Sequence, residues 1–280
     1  MSTRIDAHHH YWDPARGDYP WMPEDGPLAR SYLPSDHAPL NNAAGIDGTI
    51  VVQAAPTVAE TRWLYEQARS DRSRIIGVVG WVDLAATDVE EQLDAIAHRL
   101  LVGVRPMLQD IGDVGWVKRP EVVNGLRAVQ AAGLRFDVLI RTEHLGPIVE
   151  ALDEVPELVA VVNHLAKPNY AHIEPEWLDG MRALSAREGT FMKISGLTTE
   201  VAPRWSPANF TQHTEVALDL FGPRRSMLGT DWPVSVLAGT HAETVALLNQ
   251  LTSHLSEDER ASLWGGTCLR AYGISGADTD

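Results

Sequence analysis

IIGVVGWVDLAATDVEEQLDAIAHRLLVGVR, residues 75–105, decides the fold. Residues 75–82 form a short apolar run bounded by polar sequence, the pattern of a strand buried on both faces. Residues 89–100 then place Leu93, Ile96, Ala97 and Leu100 at helical spacing, which predicts a helix with one apolar face. Residues 101–105 return to an apolar run. Strand, amphipathic helix and strand in succession make one parallel βαβ unit.

The same alternation extends in both directions. Strands are predicted at 4–8, 48–53, 135–140, 158–163, 190–195 and 226–229, and helices at 59–71, 120–132, 144–154, 176–188, 207–221, 241–251 and 257–271. Pro120 stands at a helix-start position and Gly133 at a stop, while Ser256 followed by Glu259 reads as a capping box. Eight strands alternating with eight helices predict a single-domain α/β (β/α)8 TIM barrel over residues 1–280. A doubly wound open sheet is the competitor, but the first strand is not followed by a glycine-rich dinucleotide turn. The one irregular connection, about 11–46, is long and rich in Pro, Asp and aromatics. It is expected to leave the catalytic rim, with Trp12, Tyr19, Trp21 and Tyr32 as a lid, a sugar-stacking wall or a hydrophobic cap.

Composition narrows the partners. A formal charge of −15 over 280 residues repels nucleic-acid phosphates and disfavours a multiply charged anion, but not a neutral small molecule. No run reaches the roughly 18 apolar residues of a membrane span, and no secretory signal is visible at the start of the sequence. A single cysteine, Cys268, excludes an internal disulfide, suits the cytoplasm and is expected to be a packing residue. Nine tryptophans against four phenylalanines is more indole than a core needs, and indole faces stack on the CH faces of sugars. Trp63, Trp177 and Trp264 fall in predicted helices and are assigned to packing. A homo-oligomer is left open.

In a barrel, chemistry collects immediately after the strands. Those positions hold His8 and His10, Gln53, Trp81 and Asp83, Arg105, Arg141, His164, Lys193 and Asp231. In the run His8-His9-His10, strand alternation sends His8 and His10 to one side and His9, expected to be structural, to the other. Two imidazoles together can hold a metal ion or position a water. Asp231, after the last strand, can take a proton from water and return it to a leaving oxygen; a helix cap or an ion-pair partner is the plainer reading. His164 can ligate a metal or donate to a carbonyl. Arg105 and Lys193 offer positive charge to a developing oxyanion, or can neutralise Asp231, Asp6 or Asp83. Trp12, Trp21, Gln53, Trp81, Arg141 and Trp232 are the candidate substrate-binding residues.

His8-His9-His10, Gly80-Trp81-Val82-Asp83, Gly103-Val104-Arg105, Asn163 to Pro168, Met192 to Leu197 and Leu228 to Pro233 together resemble the amidohydrolase superfamily. More narrowly they resemble its amidohydrolase-related branch, whose members open L-fuconolactone, L-rhamnonolactone and pyrone dicarboxylate lactone rings. The resemblance runs from the first strand to the last helix and implies the same barrel. It aligns His8 and His10 with the first-strand His-x-His, His164 with the sixth-strand histidine and Asp231 with the eighth-strand aspartate. Two-metal members carry a lysine after the fourth strand and a histidine after the fifth, where this chain has Arg105-Pro106-Met107 and Arg141. The resemblance therefore implies no strictly required cofactor, or one divalent ion, zinc by its chemistry, on His8, His10, His164 and Asp231. The expected activity is hydrolysis of a neutral sugar-derived aldonolactone, a carboxylic ester, with Asp231 as base then acid. The alternatives are a zinc-dependent decarboxylase, a dicarboxylate lactonase and a non-catalytic binding barrel.

Overall fold

The computed structural model describes residues 3–70 and 72–275. The first unit behaves as its sequence requires: β3 (Ile75–Gly80), α3 (Val89–Ala95) and β4 (Leu101–Val104) form a parallel βαβ crossover. The helix stops short of its expected end, yet Leu93, Ile96 and Leu100 are all buried.

Around it stand β1 (Ile5–His9), β2 (Gly48–Val52), β5 (Arg135–Val138), β6 (Ala160–Val162), β7 (Thr190–Ile194) and β8 (Ser226–Leu228). All eight strands pair in sequence order, each parallel to the next. The cylinder closes where His10 N–H donates to the Trp232 carbonyl (2.7 Å) and Asp231 N–H to the His8 carbonyl (2.8 Å). The fold is the expected (β/α)8 barrel. Outside the strands lie α2 (Val58–Gln67), α4 (Pro120–Ala131), α5 (Leu145–Asp153), α6 (Pro175–Ser185), α7 (Pro207–Phe221) and α8 (His241–Leu251). The expected last residue of the 59–71 helix, Asp71, lies outside the described residues. Trp177 and Trp264 are buried as expected, as is Cys268.

Two elements depart from the sequence reading. The 257–271 helix is interrupted: a wide π turn, Ser262–Gly266, separates α9 (Glu257–Ala261) from α10 (Thr267–Tyr272). Within the 11–46 connection lies a helix the sequence did not suggest, α1 (Pro34–Ala44). Pro39 and two asparagines give it poor intrinsic propensity, and it buries His37 and Asn41 rather than an aliphatic stripe. The Asp36 carboxylate accepting the Leu33 N–H (2.9 Å) starts it, and Gly45, left-handed at φ 65°, ends it.

Closure leaves no room at Gly229, where a Cβ would sit 2.7 Å from His8 Cβ and 2.9 Å from its nitrogen. Gly229→Ala is therefore expected to destabilise the chain by about 1–3 kcal/mol through overpacking. Urea unfolding of the purified variant checks this, and unchanged stability would show that β1 and β8 yield there.

Candidate active site

Where β1 meets β8, parts of the chain more than two hundred residues apart in sequence deliver one constellation. The Asp231 carboxylate oxygen lies 3.4 Å from His10 Nε2, 3.6 Å from His8 Nε2 and 3.9 Å from His164 Nε2. All four side chains are buried. Asp6 underlies the arrangement, because its carboxylate accepts from His8 N–H (3.1 Å), Thr230 N–H (2.9 Å) and the Thr230 hydroxyl.

The backbone is strained where it carries these groups. His164, Leu165, Ala166 and Lys167 run consecutively at φ between 47° and 58°, and Asp231 sits at φ 54°. Each non-glycine residue in this region costs roughly 1–2 kcal/mol, a cost that surrounding structure must offset. Trp177 Nε1–H donating to the Leu165 carbonyl (2.8 Å) and Asn163 at the head of the turn help hold it. Gly196 makes the turn usable, since a Cβ there would meet His164 Nδ1 at 2.4 Å. In the room that glycine leaves, His164 Nδ1 pairs with the Ser195 hydroxyl (2.9 Å).

Hydrogen bonds fix the protons on two of the imidazoles. His10 Nδ1–H donates to the Val52 carbonyl (2.7 Å), so His10 Nε2 carries a lone pair. His8 Nε2 lies 3.2 Å from that lone pair and is the donor of the two. His8 Nδ1 then accepts from the Lys193 ammonium at 3.4 Å. The other tautomer would set two lone pairs face to face and point Nδ1–H at Lys193. This one turns Nε2–H toward Arg105 Nη1 (3.4 Å), but the shorter contact to His10 and the Asp231 carboxylate 3.6 Å away favour it.

Burial sets the charges. It drives His8 and His10 below the ordinary histidine value and His164 to about 3, so all three imidazoles are neutral at neutral pH. Burial pushes the Asp231 carboxyl up, but His164, His10 and Lys167 outweigh it and hold it below the usual carboxylate value. A carboxylate among neutral imidazoles can accept a proton and orient a water.

Above this floor opens a cavity of about 220 Å³ lined by His10, Trp12, Trp21, Arg105, His164, Lys167 and Asp231, with Leu28, Met107, Asp110 and Leu139 among its other walls. Arg105 reaches it because Nη2 donates to the Gln53 carbonyl (2.6 Å) while Gln53 Nε2 donates back to the Arg105 carbonyl (2.8 Å). Arg105 Nη1 comes within 3.4 Å of His8 Nε2. Trp21 Nε1–H donates to the Ala54 carbonyl (2.7 Å), which pins the first βα connection to the end of β2. Trp12 packs edge-on against both Trp21 and Tyr32. The aromatic connection thus serves as wall and cap together, with Trp12 and Trp21 facing the cavity and Tyr19 and Tyr32 buried behind it.

Other sequence candidates lie apart. Lys193 is fully buried a layer deeper, bonded to Asp137 (2.7 Å), so its charge reaches the cavity only through His8. Gln53 supports Arg105 without facing the cavity. Trp232 stacks on His37 at 4.3 Å. Arg141 points at Glu200 (3.5 Å), and Trp81 is half-buried away from the cavity wall. His9 is buried on the side away from the cavity.

Sequence reasoning passed over Lys167, although it stands in the quoted 163–168 motif. Its ammonium pairs with Glu200 (3.0 Å) while its side chain lines the cavity. Asp137 was also missed. A carboxylate within an apolar strand needs a buried partner, and here Lys193, Tyr272 and Asn163 all donate to it.

The donors fit a single divalent ion. Atoms of His8, His164 and Asp231 lie within 4.8 Å of one another, and His10 Nε2 adds a further lone pair, the nitrogen-plus-oxygen set zinc prefers. Lys193 opposes such an ion by holding the His8 proton on Nε2. Lys193→Met is expected to tighten zinc binding, read by calorimetric titration. It should also cost on the order of 3–5 kcal/mol of stability, because Asp137 loses its buried counter-charge. Unchanged zinc affinity in the folded variant would sink the tautomer assignment.

The family model described as amidohydrolase matches residues 5–274. An L-fucono-1,5-lactonase of Burkholderia ambifaria is 36% identical over 281 residues, covering 98% of this chain and 97% of that protein. An L-fucono-1,5-lactonase of Burkholderia multivorans is likewise 36% identical, with coverage of 98% and 97%. The crystal structure of a Burkholderia multivorans amidohydrolase with bound zinc superposes with a TM-score of 0.91 at 35% identity, over 98% of this chain and 100% of that one.

Proposed function

The chain belongs to the amidohydrolase family, and on that premise we propose that it hydrolyses the ring ester of a sugar-derived lactone of the L-fuconolactone or L-rhamnonolactone type. One observation carries the reading: an ionised Asp231 within 3.4–3.9 Å of three imidazoles, on the floor of a cavity walled by Trp12 and Trp21. Two relatives that share nearly the whole chain at 36% identity are L-fucono-1,5-lactonases.

Asp231 is the general base. A water bonded to the Asp231 carboxylate at the cavity floor is oriented by it, and Asp231 takes the proton as oxygen attacks the lactone carbonyl. Charge then develops on the carbonyl oxygen, where the Arg105 guanidinium, which lines the cavity, can donate. Such a donor contributes most when it is already in place, as the Gln53–Arg105 exchange ensures here. Collapse of the tetrahedral intermediate breaks the ring C–O bond, and protonated Asp231 returns its proton to the leaving oxygen. Lys193 positions His8 and does not meet substrate. Held by His10, His164, Asp231 and, after a proton shift, His8, a zinc ion would add Lewis acidity at the carbonyl and lower the pKa of the water.

The cavity favours a neutral polyhydroxy ring. Among the described residues its only cations are Arg105 and Lys167, and Lys167 is already paired with Glu200. Asp110 adds negative charge to the wall and Arg141 lies outside. A dicarboxylate would face a deficit of positive charge, whereas the indoles and Leu28, Met107 and Leu139 suit sugar CH faces and a deoxy methyl group. No helix among the described residues is long and apolar enough to cross a membrane. The reducing cytoplasm is the compartment this reading assigns, supported by the single buried cysteine.

Asp231→Asn should lower kcat for L-fuconolactone by about 10²–10⁴-fold, the usual worth of a positioned base, and leave the fold intact by circular dichroism. Activity within a few-fold of the parent would remove Asp231 from the mechanism. The pH profile is a separate check. Because Asp231 titrates below the ordinary carboxylate value and the imidazoles are already neutral, kcat/KM should show no limb near 6.5, the ordinary histidine value. It should fall only in the acid range. A limb near 6.5 in a pH-stat assay would mean that an imidazole carries the proton.

A further inference from the structure

Away from the cavity, between β1, α1 and α8, lies a second cluster of histidines that the lactone chemistry does not use. His37 projects from α1, His241 is the first residue of α8 and Asp6 is on β1. All three are buried, and donor atoms of the three lie within 4.8 Å of one another. We propose that Asp6, His37 and His241 bind a second divalent cation of the zinc class, which ties α1 and α8 to the first strand.

Unmet bonding carries the inference. Nε2 of His37 and Nε2 of His241 are both buried without a partner. Leaving such a group dry is costly, and two of them in a group with one carboxylate is a pattern a cation resolves. The rest of the His37 ring is committed: Nδ1 pairs with the Tyr11 hydroxyl (3.2 Å) and one face stacks on Trp232 at 4.3 Å. An outer bond on one ring nitrogen, leaving the other free, is how ligating histidines are oriented. Asp6 Oδ1 accepts two backbone N–H groups, while Oδ2 accepts only the Thr230 hydroxyl and keeps a lone pair. Burial holds His37 below the ordinary histidine value and His241 at about 4, so both are neutral donors. His9 adjoins the set, its ring 4.6 Å from that of His37 and neither nitrogen bonded. Two imidazoles and a carboxylate, with a third imidazole or a water to complete the shell, is a zinc donor set. The ion is distinct from any held by His10, His164 and Asp231, with which it shares no ligand.

Its consequence is mechanical. α1 has poor helix propensity and no aliphatic stripe, so a ligand to His37 would hold it against the barrel. Through Asp6 the same ion would brace the two strand ends that carry His8 and Asp231.

The test is zinc-edge anomalous diffraction from crystals of the full chain grown with excess zinc. An anomalous peak among Asp6, His37 and His241 is expected. Density without anomalous signal there, which would be a buried water, overturns the proposal, as does no density. In solution, His241→Gln should carry one equivalent of zinc fewer than the parent by atomic absorption after gel filtration, with lactone hydrolysis as evidence of folding. If that variant does not fold, His37→Gln is read in the same way. Equal zinc content in the folded variant and the parent overturns the proposal.

Discussion

The contact on which the site depends is the buried carboxylate of Asp6 bridging the first and last strands. It accepts from His8 on one side and from the Thr230 backbone and hydroxyl on the other. A charge removed from water is tolerated only when donors replace the hydration it loses. Burial still lifts this carboxyl to about 6, so its donors offset only part of the cost. That cost is incurred at the one place where β1 must meet β8. The bridge adds to the backbone bond from Asp231 N–H to the His8 carbonyl (2.8 Å), and together they bring the two side chains to 3.6 Å.

Strain is concentrated at the same rim. Four consecutive left-handed residues present His164 and Lys167, and Asp231 is itself left-handed. Glycines next to the functional side chains make this feasible: Gly196 leaves space for the His164 ring and Gly229 for the His8 backbone. The barrel wall supplies the stability that the rim consumes, through closely packed aliphatic residues from all eight strands.

Electrostatics divides the labour among similar residues. Arg105 and Lys193 both follow strands, yet Arg105 faces the cavity and Lys193 is committed to Asp137. One cation is placed to meet negative charge in the cavity, while the other contacts the buried His8 ring (3.4 Å). Arg141 and Lys167 share Glu200, which leaves a site with little net positive charge.

The barrel was legible in sequence because burial on both faces forces apolar strands, and amphipathic helices must cover them. That pattern is local, so residues 75–105 reveal it unaided. His8, His10, His164 and Asp231 were legible too, because barrel geometry gathers strand ends at one rim and these positions hold groups with useful chemistry. The helix at 34–44 was not, since its stability comes from packing His37 against Trp232 and His9 rather than from propensity or an apolar stripe. Nor could sequence separate Arg105 from Lys193, or Trp12 and Trp21 from Trp81 and Trp232. Which way a side chain turns beyond its strand depends on partners distant in the chain, such as Asp137 for Lys193 and Ala54 for Trp21. Sequence determined which groups arrive at the rim; only the folded chain decided which of them face the cavity, because their hydrogen-bond partners come together only on closure.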